Sequence, residues 1–236
     1  MPFPTALVLF AHPDDAEYMC GGTVARWAAE GTAVHYVVIT DGSAGDNRPG
    51  AVRAETAAVR AREQRAAADV LGVRTVTFLG FRDGELEVTL DARRAVCREV
   101  RRIRPDVLVA PDPRRWWSGT GYVNHADHRA AGELAMCAVM PDAPSRPQFP
   151  ELLDEGFEPF GVPNLWIGTE DADTHVDIAA TLDTKIAALA AHASQDGASS
   201  EPWVRQRAHD IGAPVGLAAA EGFRAFVLRE PEEEED

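Results

Sequence analysis

Short apolar runs alternate with longer runs rich in alanine, arginine and glutamate along the first two-thirds of the chain. Each apolar run has the length of a strand and is mostly apolar without alternating polar positions, which is typical of strands buried on both faces. The longer runs have helical character and end at glycines or before prolines, which commonly stop helices. The pattern predicts strands at 6–11, 34–40, 75–80 and 107–111, and helices at 21–31, 51–72, 91–104 and 125–140.

Fully apolar strands that alternate with helices favour parallel pairing, because each crossover helix returns the chain to the same edge of the sheet. We therefore predict a Rossmann-like three-layer α/β/α sandwich with a mostly parallel sheet. In such a sheet, ligands bind at the carboxyl ends of the strands. Candidate functional residues are therefore those that directly follow each strand.

The last third of the chain is less regular and is expected to complete the same domain. It contains strands predicted at 165–169, 175–178 and 223–229, and helices predicted at 182–194 and 201–211. The proline-rich segment 140–164 is expected to be an irregular loop that covers a site. We expect one domain over residues 1–229 and a disordered acidic tail over residues 230–236.

Composition narrows the choice of partners. The formal net charge of -15 disfavours nucleic acid and anionic membrane surfaces, since both need a basic face on the protein. The chain has three cysteines without a CxxC pair, which fits a reducing compartment such as the cytoplasm. It shows neither a signal-peptide pattern nor an apolar segment long enough to cross a membrane. A small molecule is therefore the expected partner, and the oligomeric state stays open.

Candidate chemistry follows the first predicted strand, in the sequence His12-Pro-Asp-Asp15. A nucleotide site would need a glycine-rich turn here, and two acids would repel a pyrophosphate. Histidine and carboxylate are the ligands expected for zinc or a similar ion. The alternative at this point is a turn whose aspartates cap the next helix.

A second group of polar residues, Asn124-His-Ala-Asp-His128, comes after the fourth predicted strand. His125 and His128 are three residues apart, so they share a face if a helix begins here. The alternative is a pair of surface histidines at a solvated helix start. A doubly wound sheet brings the two groups into one crevice, so together they predict a single metal site.

The two motifs, 11–17 and 124–128, resemble those of the PIG-L / LmbE-like family of zinc-dependent N-deacetylases. The resemblance covers about residues 5–196 and includes Thr40-Asp-Gly42, Arg60-Ala-Arg-Glu63, Asp83-Gly84 and Lys185 through Gln195. The family includes enzymes that deacetylate N-acetylglucosaminyl compounds, and also amidases of mycothiol conjugates.

The resemblance implies a role for each matching residue. The implied ligands of zinc, or of another divalent ion, are His12, Asp15 and His128. Asp14 matches the general base, and His125 matches the group that stabilises the oxyanion, with a positive charge if it is protonated. Asp127 is expected to orient a histidine. Arg60, Glu63 and Asp83 resemble positions that hold the polar substrate or brace the site.

Aromatic residues precede the second motif and have two interpretations each. Tyr122 is a candidate donor to the substrate or the oxyanion, and packing is the alternative. Trp116 and Trp117 are expected to pack beneath the proline-rich segment, with stacking on a sugar ring as the alternative.

Three functions are compatible with these residues. The leading hypothesis is a zinc-dependent amidohydrolase that removes an N-acetyl group from an N-acetylglucosamine-type sugar or glycoconjugate through a metal-activated water. The second is a thiol-conjugate amidase or a deacylase of a secondary metabolite, since the same site would serve any amide. The third is a metal-binding protein without turnover, which would require a closed, fully protein-ligated ion.

Overall fold

The fold is taken from a computed structural model that describes residues 3–228. The predicted acidic tail at 230–236, and the last residue of the predicted domain, lie outside the described residues. Among the helices of this range, none combines the length and the apolar character needed to cross a bilayer.

Strands in the described part of the chain form a seven-stranded sheet and a separate hairpin. The strands are β1 Thr5–Phe10, β2 Ala33–Thr40, β3 Thr75–Phe81, β4 Val107–Pro111, β5 Trp117–Ser118, β6 Tyr122–Val123, β7 Asn164–Gly168, β8 Thr174–Asp177 and β9 Ala220–Val227. The sheet order is β3-β2-β1-β4-β7-β9-β8. The first five strands in this order, β3, β2, β1, β4 and β7, pair in parallel. Strand β9 runs antiparallel to both β7 and β8.

Helices cover both faces of this sheet. They are α1 Asp15–Ala29, α2 Arg53–Leu71, α3 Leu90–Ile103, α4 Ala126–Cys137, α5 Glu151–Asp154, α6 Leu182–Ala190 and α7 Glu201–Gly212. Alternate residues of β1 point to opposite faces: Leu7 and Leu9 pack in the core with α3 and α4, whereas Val8 and Phe10 pack with α1 and α2. The predicted three-layer α/β/α sandwich with a mostly parallel sheet is thereby confirmed.

The first helix begins earlier than its predicted start at residue 21. The helix begins at Asp15 and contains the pair Gly21 and Gly22 in its interior, although glycine is unfavourable inside helices. The structure gives the reason for one of these glycines. A Cβ on Gly22 would lie 2.8 Å from the side chain of Ile178, so the glycine permits close packing of α1.

The proline-rich segment 140–164, predicted as an irregular loop over a site, contains the short helix α5 and lies against α3. Buried Arg101 of that helix donates hydrogen bonds to the carbonyl oxygens of Asp142, Ser145 and Gln148, each at 2.9 Å. Arg93 forms an ion pair with Asp142 as well. The segment therefore covers a helix at the side of the sheet.

The order of the strands determines where a site can form. β1 lies between β2 and β4 in the sheet. The helix that follows β1 packs on one face of the sheet, and the helix that follows β4 packs on the opposite face. The loops after β1 and β4 therefore border one crevice, at the switch point where α/β sheets bind ligands. Gly132 allows α4 to approach the end of β4, since a Cβ there would collide with the carbonyl oxygen of Pro111.

Candidate metal centre and active site

Three side chains from the two predicted motifs meet at this crevice. His12 Nδ1 lies 3.2 Å from His128 Nε2, and Asp15 lies 3.5 Å from His12 Nδ1 and 3.1 Å from His128 Nε2. Zinc bonds of about 2.1 Å in a tetrahedral arrangement separate neighbouring ligand atoms by about 3.4 Å. Both the donor types and their spacing therefore fit a zinc-like ion.

The other ring nitrogen of each histidine faces an acceptor. His12 Nε2 lies 3.1 Å from Asp83 Oδ1 and 3.2 Å from Asp127 Oδ2. His128 Nδ1 lies 2.9 Å from Oδ1 of Asn124, whose Nδ2 donates to the carbonyl oxygen of Arg115. These acceptors favour protons on the outer nitrogens and leave lone pairs on His12 Nδ1 and His128 Nε2 for a cation.

The charges of the cluster also favour a cation at its centre. Burial alone would lower the pKa of His12, but Asp15, Asp127 and Asp83 raise it to about 12. Burial would raise the pKa of Asp15, but His128 and His12 hold it well below its usual range. A divalent ion can replace the proton that the carboxylates attract to His12.

Asp14 has an unusual backbone conformation, with a φ of 99° that non-glycine residues rarely adopt. Its N–H donates to Gln64 Oε1 at 2.9 Å, and its carboxylate accepts from Arg60 Nη2 at 3.1 Å. Arg60 also donates to the carbonyl oxygen of Pro13, so it binds the loop both at this carbonyl and at the Asp14 carboxylate. A strained residue that its surroundings hold in place is often functional.

The carboxyl group of Asp14 is suited to accept and release a proton. Burial and the neighbouring charge of Asp15 raise its pKa to about 7, although Arg60 acts in the opposite direction. A divalent ion in the adjacent cluster would lower the pKa and favour the ionised form.

Gln64 is a residue that the sequence did not single out. It is fully buried, and it joins the Asp14 N–H to the carboxylate of buried Glu17 through a 3.0 Å hydrogen bond from its Nε2. It lies four residues after Arg60 on α2, so it shares a helix face with that residue. This spacing is the signal that would have revealed it.

We expect Gln64→Leu to lower kcat about tenfold, because the strained Asp14 backbone would lose its anchor and the carboxylate its position. KM and the zinc content should change little, since Gln64 touches neither the cavity nor the cluster. The measurement is steady-state kinetics together with metal analysis and a melting curve. Gln206→Leu, at an exposed glutamine of α7, is the control, and an unchanged kcat in Gln64→Leu would contradict the positioning role.

His125 immediately precedes α4, and its Nδ1 accepts a hydrogen bond from the backbone N–H of Asp127 at 3.1 Å. This bond places the proton of a neutral ring on Nε2. Burial and the positive charge of His12 lower the pKa of His125. The structure therefore favours a neutral N–H donor at this position over the positively charged group considered from the sequence.

Of the remaining predicted residues, Asp127 and Asp83 contact His12, whereas Glu63 contacts Ser194. Asp127, which is almost fully buried, faces His12 and also accepts from the N–H of Gly84. That it orients the histidine stays a prediction. Asp83 contacts the same imidazole ring of His12, and this contact holds the ring in place. Glu63 accepts two hydrogen bonds from Ser194 and thereby links α2 to the chain after α6. Its role in substrate binding stays a prediction.

A cavity of about 540 Å³ opens beside the cluster. Asp15, His128 and Tyr122 line it on the side of the two motifs. The hydroxyl of Tyr122 donates to Asn124 Oδ1 at 3.1 Å. A further part of the wall comes from α7 and β9, which the sequence did not indicate. Its main members are Trp203, Val204, Arg207, Ile211, Ala220 and Glu221.

Trp116 and Trp117 are 56% and 68% exposed, so the prediction that they pack beneath the proline-rich segment is wrong. The segment lies against α3, whereas these indoles lie at the hairpin of β5 and β6. The Trp116 ring instead lies 4.0 Å from the guanidinium carbon of Arg129.

The fold and the cluster, taken with the relatives of this chain, define a hydrolase of the N-deacetylase class, which cleaves linear amide bonds. A family model described as PIG-L, GlcNAc-PI de-N-acetylase, matches residues 7–139. The chain belongs to the PIG-L family, which confirms the resemblance of its motifs.

Relatives in this family act on more than one amino sugar. A diacetylchitobiose deacetylase of Thermococcus kodakarensis is 32% identical over 92% of this chain and 81% of its own length. A 1D-myo-inositol 2-acetamido-2-deoxy-alpha-D-glucopyranoside deacetylase of Rhodococcus erythropolis is 30% identical over 80% of each chain. The structure of N,N'-diacetylchitobiose deacetylase from Pyrococcus horikoshii has a TM-score of 0.87 at 31% identity, and covers 95% of this chain and 84% of the other.

Proposed function

We propose that this protein is a divalent-metal-dependent N-deacetylase that removes the acetyl group from an N-acetylglucosamine-type sugar or glycoconjugate. The observation that carries the proposal is the triangle of His12 Nδ1, His128 Nε2 and the Asp15 carboxylate, with sides of 3.1–3.5 Å. The neighbouring carboxylate of Asp14 and imidazole of His125 complete a set of groups for amide hydrolysis.

His12, Asp15 and His128 would hold the ion, and their donor types fit zinc best. When bound, such an ion polarises an amide carbonyl and makes a water molecule more acidic. The described residues offer three potential ligand atoms at this point, and the cavity opens on two of the residues that carry them. An open coordination position is typical of catalytic sites, which favours turnover over a purely structural ion.

Asp14 would accept the proton of the water that attacks the acetyl carbonyl carbon. When the C–N bond breaks, the same carboxyl group would return a proton to the departing amine, so that acetate and a free amino sugar are released. The hydrogen bond from Arg60 and the anchored backbone support this role, since they hold the carboxylate in one orientation.

His125 would donate a hydrogen bond from Nε2 to the oxygen that becomes negative as the carbonyl is attacked. Its Nδ1 already accepts from Asp127, which supports an N–H on the other nitrogen. Its ring lies 4.7 Å from that of His12 and 5.5 Å from that of His128, measured between centroids, so it borders the metal cluster.

The choice of an N-acetylglucosamine-type substrate rests on the relatives and on the cavity. Both curated relatives are named for deacetylation of compounds that contain an N-acetylated amino sugar. A cavity of about 540 Å³ lies within the range that holds ligands larger than a simple acetamide.

The test is hydrolysis of a panel of N-acetylglucosamine glycosides, measured as released acetate. We expect turnover that disappears after removal of metal with a chelator and returns when Zn²⁺ is added. Turnover confined to larger N-acyl conjugates would favour the thiol-conjugate amidase or a deacylase of a secondary metabolite. Metal binding without hydrolysis of any N-acyl compound would contradict the proposal and favour the non-catalytic alternative.

We also propose that the protein acts in the cytoplasm. The support is its cysteine chemistry: Cys20, Cys97 and Cys137 are all free thiols, as expected for a reducing compartment.

A further inference from the structure

Two arginines line the cavity on the part of its wall formed by the loop after β4 and by α7. They are Arg115 and Arg207, and each side chain is about one-third exposed. The guanidinium of Arg115 lies 5.6 Å from the ring centre of Tyr122, and that of Arg207 lies 5.6 Å from the ring centre of Trp203. Each guanidinium therefore lies near one aromatic ring of the cavity wall.

This pair has more positive charge than its neighbours neutralise. Both guanidiniums approach the same atom, Glu170 Oε1, with Arg115 at 2.8 Å and Arg207 at 4.0 Å. Ser118 Oγ also donates to this oxygen, at 2.7 Å. One carboxylate thus serves two guanidiniums and a hydroxyl.

Several N–H groups of the two arginines also have no hydrogen-bond acceptor among the described residues. The Nε of Arg115 is buried and has no hydrogen-bond partner among the described residues. Arg207 donates no hydrogen bond that meets normal geometry to any residue in 3–228, although its guanidinium carries five N–H groups. Burial, together with the positive charge of Arg115, lowers the pKa of Arg207, as expected for two neighbouring cations that share one anion.

The other acids that line this wall are already satisfied. Asp112 accepts from the backbone and side chain of Arg114 and from the hydroxyl of Thr169. Glu221 pairs with Lys185 and accepts from the N–H groups of α1. Neither acid contributes free negative charge to the arginine pair.

We propose that Arg115 and Arg207 form a subsite for one anionic group, a carboxylate or a phosphate, on the part of the substrate beyond the N-acetylated sugar. This inference rests on the proposed deacetylase function and narrows its substrate class to acidic glycoconjugates. Two guanidiniums with unused N–H groups match the planar or tetrahedral oxygens of such an anion.

The experiment compares three glycosides of N-acetylglucosamine that differ only at the end of a short alkyl aglycone. One ends in a carboxylate, one in a phosphate monoester and one in a neutral carboxamide. With the zinc-loaded enzyme, we expect kcat/KM to be about tenfold higher for at least one anionic glycoside than for the carboxamide, mainly through KM. The comparison of carboxylate with phosphate identifies the anion.

Arg115→Gln and Arg207→Gln should each remove most of this preference, measured as the ratio of kcat/KM for the anionic glycoside to that for the carboxamide. Arg205→Gln is the matched control, because Arg205 lies on the same helix but pairs with Glu201 and Asp183 outside the cavity. Glu170→Gln provides a test of opposite sign. Without the competing carboxylate, the preference for the anionic glycoside should increase. Because this variant retains both arginines, it tests the subsite even if the arginine variants are unstable.

Equal kcat/KM for all three glycosides would overturn the subsite, as would a preference that persists in both arginine variants. Failure to hydrolyse any of the three glycosides would instead contradict the deacetylase function. Binding separates these cases as well: the Asp14→Asn variant should bind the preferred anionic glycoside about tenfold more tightly than the carboxamide in calorimetry.

Discussion

Replacing Asp14 with asparagine is expected to lower kcat by about three orders of magnitude, the usual contribution of a positioned general base. The amide cannot accept the proton of the attacking water, although its size and its hydrogen bond from Arg60 are retained. Zinc content and KM should stay near those of the unmodified protein, since Asp15 supplies the ligand. Steady-state kinetics with metal analysis measures all three quantities.

A matched control for this substitution is Asp69→Asn on the exposed surface of α2, which removes the same charge far from the cluster. A variant Asp14→Asn with near-normal kcat would show that another group accepts the proton. Loss of zinc from the same variant would show instead that Asp14 is a ligand. The two outcomes separate the role of a base from that of a ligand.

Replacing His128 with alanine is expected to abolish both zinc binding at micromolar concentrations and detectable turnover. Three protein ligands hold a catalytic zinc ion, and the loss of one leaves only His12 and Asp15. In the unmodified protein, zinc should raise Tm because it binds the folded state, and this increase should be absent from the variant. Equilibrium dialysis and melting curves with and without zinc provide the measurements.

The control for this variant is His209→Ala, at a largely exposed histidine of α7. Retained zinc in His128→Ala would point to the alternative group of His12, His125 and Asp127, which also has ligand atoms close together. In that case His125→Ala should lose the ion. The structure favours the first group, since Asp127 already accepts hydrogen bonds from the N–H groups of Gly84 and Leu86.

Local sequence patterns predicted the parallel part of the sheet and the two groups of candidate metal ligands. Strand and helix periodicities are properties of neighbouring residues, so the apolar runs identified strands β1 to β4 before any contact was known. The rule that α/β sheets bind ligands at strand ends then directed attention to the loops after β1 and β4. In this way His12 and His128, 116 residues apart, were assigned to one site.

Only the tertiary structure decided how these side chains are held and what surrounds them. The proton positions on the histidines depend on Asp83, Asp127 and Asn124, and the strained backbone of Asp14 depends on Gln64, which lies 50 residues away. These contacts join distant segments, and no local periodicity records them.

The wall of the cavity is the clearest example of this limit. Trp203 and Arg207 reach it because β9 pairs antiparallel with β7 and α7 packs beside β9, an arrangement that no local pattern indicated. The sequence by itself thus determined the fold class and the residues suited to bind a metal ion. The packing of distant segments determined their geometry, their charges and the arginine pair of the cavity, because relative placement in space is what sets distances and pKa values.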